Sequence, residues 1–336
     1  MKDIIDFVIP WVDGNDPAWK TERRKYESQD LLIDSDNRSV RYRDMGTLRY
    51  WFRTVEAYAP WVNMIHFVTY GHIPEWLNTD NPKLNIVNHK DFIPSEYLPT
   101  FSANTIELNL HRIKGLSDKF VFFNDDVFII NSVNPTDFFR DGKPCDSAIM
   151  SPAIMEDKYN MGCITLNNMA IINSYFDKSK VIKQNKRLWF NSKYEQKHQI
   201  KNFLLLPWNH FSAFYEFHIC SSFLKQTFEE LWDKEYESLH ETCKRRFRNV
   251  KLDNNQWLFR DWQLASGCFV PRSTKFGKLY MLNSESSIKK MILDKKTSVV
   301  CINDSSFLSD VEFELVRKRM IRCFRYKCPE KSSFEK

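Results

Sequence analysis

The chain has 336 residues, of which 43% are hydrophobic and 15% aromatic, and its formal net charge is +6. This length and composition are typical of a globular protein with a substantial core and exclude a disordered chain. No apolar run reaches 18 residues and no nucleic-acid-binding motif is recognised, so we expect neither a transmembrane helix nor a nucleic-acid partner.

Strand and helix signals alternate over residues 1–150. Apolar residues at helical spacing predict one helix that ends before Pro60 and another that ends near Gly115. This rhythm predicts an α/β fold with a mostly parallel sheet covered by helices. The predicted strands are 4–9, 64–69, 84–87 and the run that begins at 120, and the predicted helices are 48–59 and 105–113.

Two polar clusters lie near the start of the chain. Asp13 and Gly14 open the motif DGND directly after the first strand, where a tight turn could direct its backbone N–H groups at a phosphate or simply be a turn. Arg41, Arg43 and Asp44 precede the next helix. Two arginines so close together can bind phosphate oxygens, with Asp44 as a helix cap or as a partner that orients an arginine.

The run FVFFNDDVFII, residues 120–130, places Asn124, Asp125 and Asp126 at the end of an apolar strand. Two adjacent carboxylates in such surroundings are costly unless a cation, a hydrogen-bond network or a substrate compensates their charge. In an open α/β sheet, ligands bind in the crevice beyond the carboxyl ends of the strands. This motif is therefore the first candidate for a functional site.

A second apolar run, residues 298–302, leads into Asn303 and Asp304. Two strands that each deliver an Asn-Asp pair predict one shared site for a hard cation or a phosphate. The alternative is that each pair only forms an Asx-turn where its strand ends.

The middle of the chain is harder to interpret. Residues 151–210 are polar, rich in Asn and Lys, and aromatic in patches, and we interpret them as an insertion or lid around the site. Residues 211–265 have helical spacing, and His218 falls within this predicted helical segment. A lone histidine there is either a packed residue or a general base. The motif RRFR, residues 245–248, provides either a solvated helix face or one phosphate-binding arginine.

The last predicted helix carries Arg317, Lys318 and Arg322 beside apolar residues at helical spacing. This pattern is either a solvated basic face or a surface attracted to an anionic leaflet or a polyanionic product.

We expect one catalytic domain over residues 1–336. Its segments are the N-terminal half of the core (1–150), the insertion or acceptor lid (151–210), a mainly helical segment (211–297), and a core-closing strand with the basic helix (298–336).

Eight cysteines include no CxxC pair, and several lie within apolar runs. This favours reduced, buried thiols over a disulfide framework or a tetrathiolate zinc site. The N-terminus lacks the basic start and apolar core of a secretory signal. We therefore expect a cytoplasmic protein.

The candidate residues are carboxylates, arginines, histidine and asparagine. The sequence contains no GxSxG, Walker A, GxGxxG or HExxH motif. This inventory favours phosphoryl or glycosyl transfer, in which the protein positions groups and stabilises charge with a divalent ion.

Four blocks of the chain resemble the signature regions of the Stealth family of sugar-phosphate transferases. They cover most of the residues from 4 to 130, 211 to 265 and 298 to 334. The blocks are IDFVIPWVDGNDPAW (5–19), the long region that starts RYRDMGTLRYWF at 41 and ends FFNDDVF at 128, FHICSSFLKQTFEELW (217–232) with RRFRN, and VVCINDSS (299–306).

The resemblance implies a Rossmann-like, glycosyltransferase-A-like core that binds a nucleotide sugar with Mg²⁺ or Mn²⁺. Asp126 is then the expected metal ligand, with Asp125 alongside and Asn303 or Asp304 completing the shell. The expected catalytic residues are His218, as general base, with Asp125 and with Arg248 on the diphosphate. The expected donor-pocket residues are Asp13, Gly14, Arg43, Asp44 and Asn124, together with His111 and Arg112, which could equally be structural.

One block departs from the family pattern. Family members often carry proline shortly after the histidine, whereas Ile219, Cys220 and Ser221 follow His218 here. His210 is therefore a competing candidate for the general base.

The implied reaction transfers a sugar together with its phosphate from a nucleotide sugar to a sugar hydroxyl. The expected acceptor is a lipid-linked oligosaccharide or growing polysaccharide at the inner membrane leaflet. The expected location is cytoplasmic, with peripheral membrane contact through the basic helix. Alternatives are an ordinary glycosyltransferase that releases UDP, a metal-dependent phosphodiesterase, and a catalytically silent carbohydrate-binding protein. By elimination, residues 151–210 are expected to select the acceptor.

Overall fold

The computed structural model of the protein describes residues 4–27, 42–155, 161–281, 290, 292–303 and 308–336. Several short strands in these ranges were not predicted from the sequence. The strands are β1 Asp6–Trp11, β2 Ile65–Thr69, β3 Leu84–Asn88, β4 Lys119–Phe122, β5 Val127–Ile129, β6 Phe139–Arg140, β7 Lys143–Asp146, β8 Met150–Ser151, β9 Ala213–Phe214, β10 Ser221–Leu224, β11 Val270–Pro271, β12 Gly277–Met281 and β13 Val299–Asn303.

The helices begin at recognisable caps in several cases. Asp16 accepts a hydrogen bond of 2.7 Å from the Trp19 N–H at the start of the first helix, and Ser309 with Glu312 forms a capping box at the last. The helices are α1 Pro17–Arg24, α2 Leu48–Tyr58, α3 Ala103–Leu108, α4 Gly162–Tyr175, α5 Lys178–Gln184, α6 Lys186–Trp189, α7 Gln196–Leu204, α8 Lys225–Lys234, α9 Tyr236–Lys244, α10 Trp257–Ala265 and α11 Asp310–Lys327.

A five-stranded sheet in the order β10-β4-β1-β2-β3 forms the centre of the molecule. The strands β1 to β4 are parallel, and β10 is antiparallel to β4. The carboxyl ends of β1 and β4 therefore meet at one edge of the sheet, which the amino end of β10 shares. A second sheet, β12-β13-β5, adjoins this edge because β5 follows β4 after the turn 123–126. The predicted α/β fold with a mostly parallel sheet is confirmed.

Neighbouring side chains of β1 lie in two different hydrophobic cores. Phe7 and Ile9 pack in the core that includes Phe324 of α11, whereas Val8 packs in the core that includes Phe259 of α10. Side chains of a strand alternate between the two faces of a sheet, so both faces are covered by helices. This burial on both faces explains why β1 is a continuous apolar run.

The helical prediction for residues 211–265 is correct for α8 to α10 and wrong for the residues before them. There β9 and β10 are strands, and β10 pairs with β4 through Ser221 and Phe122. His218 lies in irregular backbone between β9 and β10. Phe223 and Leu224 continue the apolar spacing of α8, but pairing with the free edge of β4 determines their structure.

Residues 162–204 form the helices α4 to α7, which pack on the α10 side of the sheet. Asn168 of α4 donates a hydrogen bond of 2.8 Å to Asn255, just before α10. The predicted insertion is therefore a packed helical unit, and its role as a lid stays a prediction. Among the described residues, no helix is both long and apolar enough to cross a bilayer.

The C-terminal tail packs over α2 through a buried ion pair. The Arg53 guanidinium donates to both carboxylate oxygens of Glu335, at 2.7 and 2.8 Å, and to the carbonyls of Cys328 and Pro329. Because Glu335→Gln leaves a buried guanidinium without its counter-charge, we expect it to lower the free energy of unfolding by about 3 kcal/mol in urea titrations. Glu241→Gln, which removes the exposed Lys244–Glu241 pair, is the matched control and should have no measurable effect. Equal effects of the two variants would contradict a stabilising role for the tail.

Candidate active site

Four aspartates converge at the carboxyl edge of the central sheet. Asp13 follows β1, Asp125 and Asp126 follow β4, and Asp44 precedes α2. Asp125 has an exposed side chain, yet the surrounding protein raises its pKa to about 7, through burial of the carboxylate first and then through the charges of Asp126 and Asp44. Burial also raises the pKa of Asp44, with a contribution from Asp13. The edge therefore concentrates negative charge that a bound cation would relieve.

The end of β13 lies against this acidic cluster. The Ile302 N–H donates a hydrogen bond of 2.8 Å to the backbone carbonyl of Asp126, and the Cys301 thiol donates one of 3.3 Å to Asp126 Oδ2. Burial, followed by the charge of Asp126, raises the pKa of Cys301, so this group remains a thiol donor. Asn303 is the last residue of β13. The two strand ends that the sequence predicts to share one site are thus adjacent, while Asp304 lies outside the described residues.

The turn after β1 is packed closely against the segment that carries Asp44. The Asp13 N–H donates a hydrogen bond of 2.7 Å to His72 Nε2, and the Asn15 N–H donates one of 2.8 Å to Asp13 Oδ1. A Cβ at Gly14 would lie 1.9 Å from the Tyr42 carbonyl oxygen, so only glycine fits. Gly14 therefore permits the close approach that brings Asp44 beside Asp13. A phosphate-binding role for this turn stays a prediction.

Arg248 lies near Tyr42 and Glu107. Burial raises the pKa of Tyr42, and the charges of Arg23 and then Arg248 oppose this rise; the Arg248 Nη1 lies 3.9 Å from Met161 Sδ. Burial also raises the pKa of Glu107 to about 7, although Arg248 and the backbone N–H of Gln256 oppose the shift. Glu107 is therefore only partly ionised at neutral pH. The predicted contact of Arg248 with the diphosphate stays a prediction.

The raised pKa of Glu107 predicts that the stability of the protein depends on pH. Its pKa rises on folding, so its stabilising contribution is fully present below the unfolded value near 4.5 and is lost as the pH rises toward about 7. Glu107→Gln is permanently neutral, and we expect its unfolding temperature to exceed that of the native protein at about pH 8 and to match it at about pH 4.5. The same difference at both pH values in thermal unfolding would contradict this interpretation.

His218 occupies a strained position at the same edge as the acidic turn. Its φ of +46° lies in the left-handed region that non-glycine residues rarely adopt, and such strain is concentrated at functional sites. Because Ser221 of β10 pairs with Phe122 of β4 in antiparallel register, the residues before β10 and those after β4 leave the sheet together. The His218 side chain is 43% exposed, and its ring centroid lies 6.0 Å from that of Trp257.

The protonation of His218 is governed by its neighbours. Its Nε2 lies 3.8 Å from a carboxylate oxygen of Glu216. Burial and then the charge of Arg260 lower the pKa of His218, whereas burial raises the pKa of Glu216 to about 7. A histidine that is neutral at physiological pH can accept a proton, as a general base must.

Arg260 is buried and held by two aspartates. Its Nε and Nη2 lie 2.7 and 3.0 Å from the Asp146 carboxylate oxygens, and its Nη1 lies 3.6 Å from Asp261 Oδ1. Burial raises the pKa of Asp261 well above its usual value, although Arg260 opposes the shift. The bidentate pair fixes the positive charge that acts on His218. Sequence reasoning missed this group because Asp146 and Arg260 come from distant elements, β7 and α10, without a local motif.

Two other predicted residues lie away from this edge. His111 and Arg112 follow α3 and pack against Trp232 of α8, and burial lowers the pKa of His111 to about 3. The charges of Arg112 and then of Lys225 further lower the pKa of His111. Lys225 follows Leu224, which pairs with Lys119 at the amino end of β4, so His111 lies near the opposite end of this strand from the acidic turn. These contacts favour the structural interpretation of His111 and Arg112, and their place in the donor pocket stays a prediction.

The remaining predicted residues differ in their surroundings. His210 is exposed in the loop after α7. The Asn124 carbonyl accepts a hydrogen bond of 3.1 Å from the Val127 N–H, so Asn124 closes the acidic turn. The Arg43 guanidinium carbon lies 4.5 Å from the Phe313 ring centroid on α11. Arg41 lies outside the described residues.

A cavity of about 290 Å³ opens beside Asp44, between α2 and α11. The Arg317 guanidinium lies close to Gly46, whose φ is +65°, and its charge acts on Asp44. Part of the basic helix therefore faces the site, which its run of charges alone did not reveal. The polar and aromatic residues that line the cavity are Trp11, Asp44, Arg49, Tyr50, Trp76 and Arg325.

The models of two conserved regions match the chain. Stealth protein conserved region 1 matches residues 5–30, and Stealth protein conserved region 2 matches residues 41–146. The capsular polysaccharide phosphotransferase WcwK of Streptococcus pneumoniae is 46% identical over 333 residues, which cover 99% of this chain and 98% of the relative. The chain belongs to the Stealth family.

A second relative of this Stealth protein is the receptor polysaccharide phosphotransferase WefC of Streptococcus oralis. It is 41% identical over 334 residues, covering 98% of this chain and 99% of the relative. Among solved structures, the galactosyltransferase LgtC in complex with donor and acceptor sugar analogues aligns at 11% identity and a TM-score of 0.37, covering 96% of this chain and 95% of that one.

The two matched regions contain the whole acidic cluster. Asp13 lies in conserved region 1, and Asp44, Asp125 and Asp126 lie in conserved region 2. Tyr42, whose carbonyl packs on Gly14, connects the two regions in space. The acidic edge of this Stealth protein is therefore built by the contact between its two matched regions.

The donor atoms at this edge fit Mg²⁺ or Mn²⁺. Carboxylate oxygens of Asp125 and Asp126, with the amide oxygen that Asn303 can offer, are the hard ligands such ions prefer. Burial first, and then the charges of Asp126 and Asp44, raise the pKa of Asp125 to about 7. Among the described residues, no group of three His, Cys, Asp or Glu side chains is placed to hold a metal ion alone. Mg²⁺ commonly needs only one or two carboxylates when substrate phosphates supply further ligands.

Proposed function

We propose that this Stealth protein transfers a hexose 1-phosphate or N-acetylhexosamine 1-phosphate from a UDP-sugar to a sugar hydroxyl. The product is a phosphodiester of a capsular or other surface polysaccharide. The observation that supports this proposal is that the Asp125-Asp126 turn and the segment that carries His218 leave the central sheet at the same edge. The names of the relatives, which are polysaccharide phosphotransferases, support the same reaction class.

In this proposal, each group has one task. His218 takes the proton of the acceptor hydroxyl, whose oxygen attacks the β-phosphorus of the donor. The bond between the β-phosphorus and the bridging oxygen breaks, and UMP leaves with the bonding electrons. Arg248 holds the diphosphate. Asp125 supports the metal ligand Asp126 at the acidic edge. The groups that line the donor pocket are Asp13, Gly14, Arg43, Asp44 and Asn124.

The metal belongs to the same proposal. Asp126 is its ligand, with Asp125 and Asn303 or Asp304 in support. When bound, Mg²⁺ or Mn²⁺ neutralises charge on the phosphate oxygens as the leaving group departs.

The acceptor is a lipid-linked oligosaccharide or a growing polysaccharide chain. We place the enzyme in the cytoplasm, with peripheral contact to the inner face of the plasma membrane. The helical unit 162–204 adjoins the segment that carries His218, since His198 of α7 contacts the rings of Tyr215 and Phe217. This contact supports a role for the unit in acceptor selection.

Product analysis tests the proposal against its alternatives. The enzyme is incubated with Mg²⁺, a panel of UDP-hexoses and membrane-derived acceptor, and the nucleotides are separated by chromatography. UMP that forms only with acceptor is expected. UDP would indicate an ordinary glycosyltransferase, and UMP without acceptor would indicate a phosphodiesterase. No turnover with any donor would favour a binding protein.

A further inference from the structure

The end of α7 and the loop after it expose a group of large apolar side chains. Phe203, Leu204 and Trp208 are 67%, 61% and 57% exposed, and Ile200 and Leu206 are exposed beside them. Five such residues within nine positions form a continuous apolar tip, which we define as residues 200–208. Scattered single apolar residues on a surface need no explanation, but a contiguous group does.

The exposure of this tip is imposed by buried polar groups. The Lys178 ammonium is buried and donates to the carbonyls of Leu205 and Trp208, at 2.5 and 2.6 Å. Asn202 is fully buried and donates to the carbonyls of Ala148 and Trp189. The backbone is thus anchored on both sides of the exposed side chains. The fold presents them outward at a fixed position.

The surroundings of the tip are strongly basic. Residues 178–210 contain eight Lys and Arg residues and one Glu, a net charge of +7 against +6 for the entire chain. On α7, Lys197, Ile200, Lys201 and Leu204 follow the spacing of one helix face. Exposed Trp, Phe and Leu among lysines match the polarity profile of an interface between anionic headgroups and acyl chains.

We propose that the tip, residues 200–208, docks this protein on an anionic phospholipid surface. Its aromatic and leucine side chains enter the headgroup region, and the exposed lysines Lys180, Lys183, Lys186 and Lys197 bind the lipid phosphates. The inner side of α7 contacts Tyr215 and Phe217, directly before His218. Docking through this tip would therefore hold α7, whose inner side packs beside the segment that carries His218, at the membrane surface.

This assignment deepens the peripheral membrane contact proposed above and differs from the sequence-based choice of the basic helix α11. On α11, Arg317 is bound by Glu314 at 2.9 Å and faces Gly46, so part of its charge is directed to the site. Vesicle binding needs neither donor nor acceptor. Its result is therefore separate from that of the product analysis.

Vesicle flotation tests the proposal with the full-length protein. Vesicles of phosphatidylcholine, with and without phosphatidylglycerol, are compared, and we expect binding only to the anionic ones. The double variant Phe203→Ser with Trp208→Ser should lower the partition coefficient about tenfold or more. Lys180→Glu with Lys197→Glu should lower it by a similar factor. Both pairs are exposed, so circular dichroism and the unfolding temperature should be unchanged.

The matched control is Lys318→Glu with Arg322→Glu on α11, which makes the same change in charge at exposed positions. We expect this control to retain flotation. The proposal is overturned if the α11 double variant no longer binds anionic vesicles while the tip variants still do, or if the native protein does not bind anionic vesicles. It is also overturned if the native protein is a dimer by light scattering without lipid and the tip variants are monomers, since the tip is then an interface between two copies.

Discussion

An Asp126→Asn variant should lose transfer activity by about a thousandfold or more while remaining fully folded. Asn has the shape of Asp, and its side-chain oxygen can still accept the hydrogen bond from the Cys301 thiol at 3.3 Å. The substitution removes one negative charge from an edge where Asp125 and Asp44 already repel each other. The unfolding temperature should therefore stay the same or rise slightly. Initial rates of nucleotide release and thermal unfolding measure the two effects.

The control for this experiment is Asp80→Asn. Asp80 is exposed in the loop that precedes β3, at the amino edge of the parallel sheet, opposite the acidic cluster. The substitution Asp80→Asn makes the same chemical change as Asp126→Asn and should leave the rate near that of the native protein. Near-normal activity of Asp126→Asn would remove this residue from the metal shell. A loss of folding would show that its role is structural.

A His218→Gln variant should lower kcat by about a hundredfold to ten-thousandfold, with little change in KM for the donor. Glutamine can accept a hydrogen bond from the acceptor hydroxyl but cannot take its proton. Because a general base acts when deprotonated, native activity should rise with pH through the pKa of His218. Burial and Arg260 lower this pKa, so the rise should lie below the ordinary histidine value of about 6.5. In His218→Gln this rise of activity with pH should be absent.

His210 provides the matched control for that experiment. It is exposed in the loop after α7, and His210→Gln should retain both the rate and the pH profile of the native protein. A large loss in His210→Gln together with near-native His218→Gln would reverse the assignment of the base. This pair of variants decides the choice that the sequence left open.

Much of the fold was predictable because the parallel strands are buried on both faces. Runs such as Phe7 to Ile9 are then continuously apolar, and helices with one apolar stripe, such as α2, alternate with them. The strand β10 was not predictable in this way. Phe223 and Leu224 have the spacing of the helix that follows, and only the pairing with β4 makes them a strand. Two-residue strands such as β9 depend on their partner in the same way.

The candidate site was predictable where polar residues follow a strand directly. Asp126 and Asn303 come close because β13 pairs with β5 beyond the acidic turn, as two apolar strands with the same ending suggested. The positions of Glu216, Arg260 and Arg317 depend on tertiary packing, and no local pattern signals them. His111 lies in the short 3-10 turn after α3, and its contact with Phe228 of α8 is likewise a matter of tertiary packing.

The fate of the donor β-phosphorus tests the central claim most directly. The donor is a UDP-sugar with ³²P at the β position and ³H in the sugar, and the acceptor fraction is isolated after turnover. A sugar-1-phosphate transferase places both labels in the acceptor in equal amounts, joined by a phosphodiester. If the acceptor gains ³H while ³²P remains in UDP, the enzyme forms a glycosidic bond, and the roles proposed for His218 and Arg248 at the β-phosphorus are wrong.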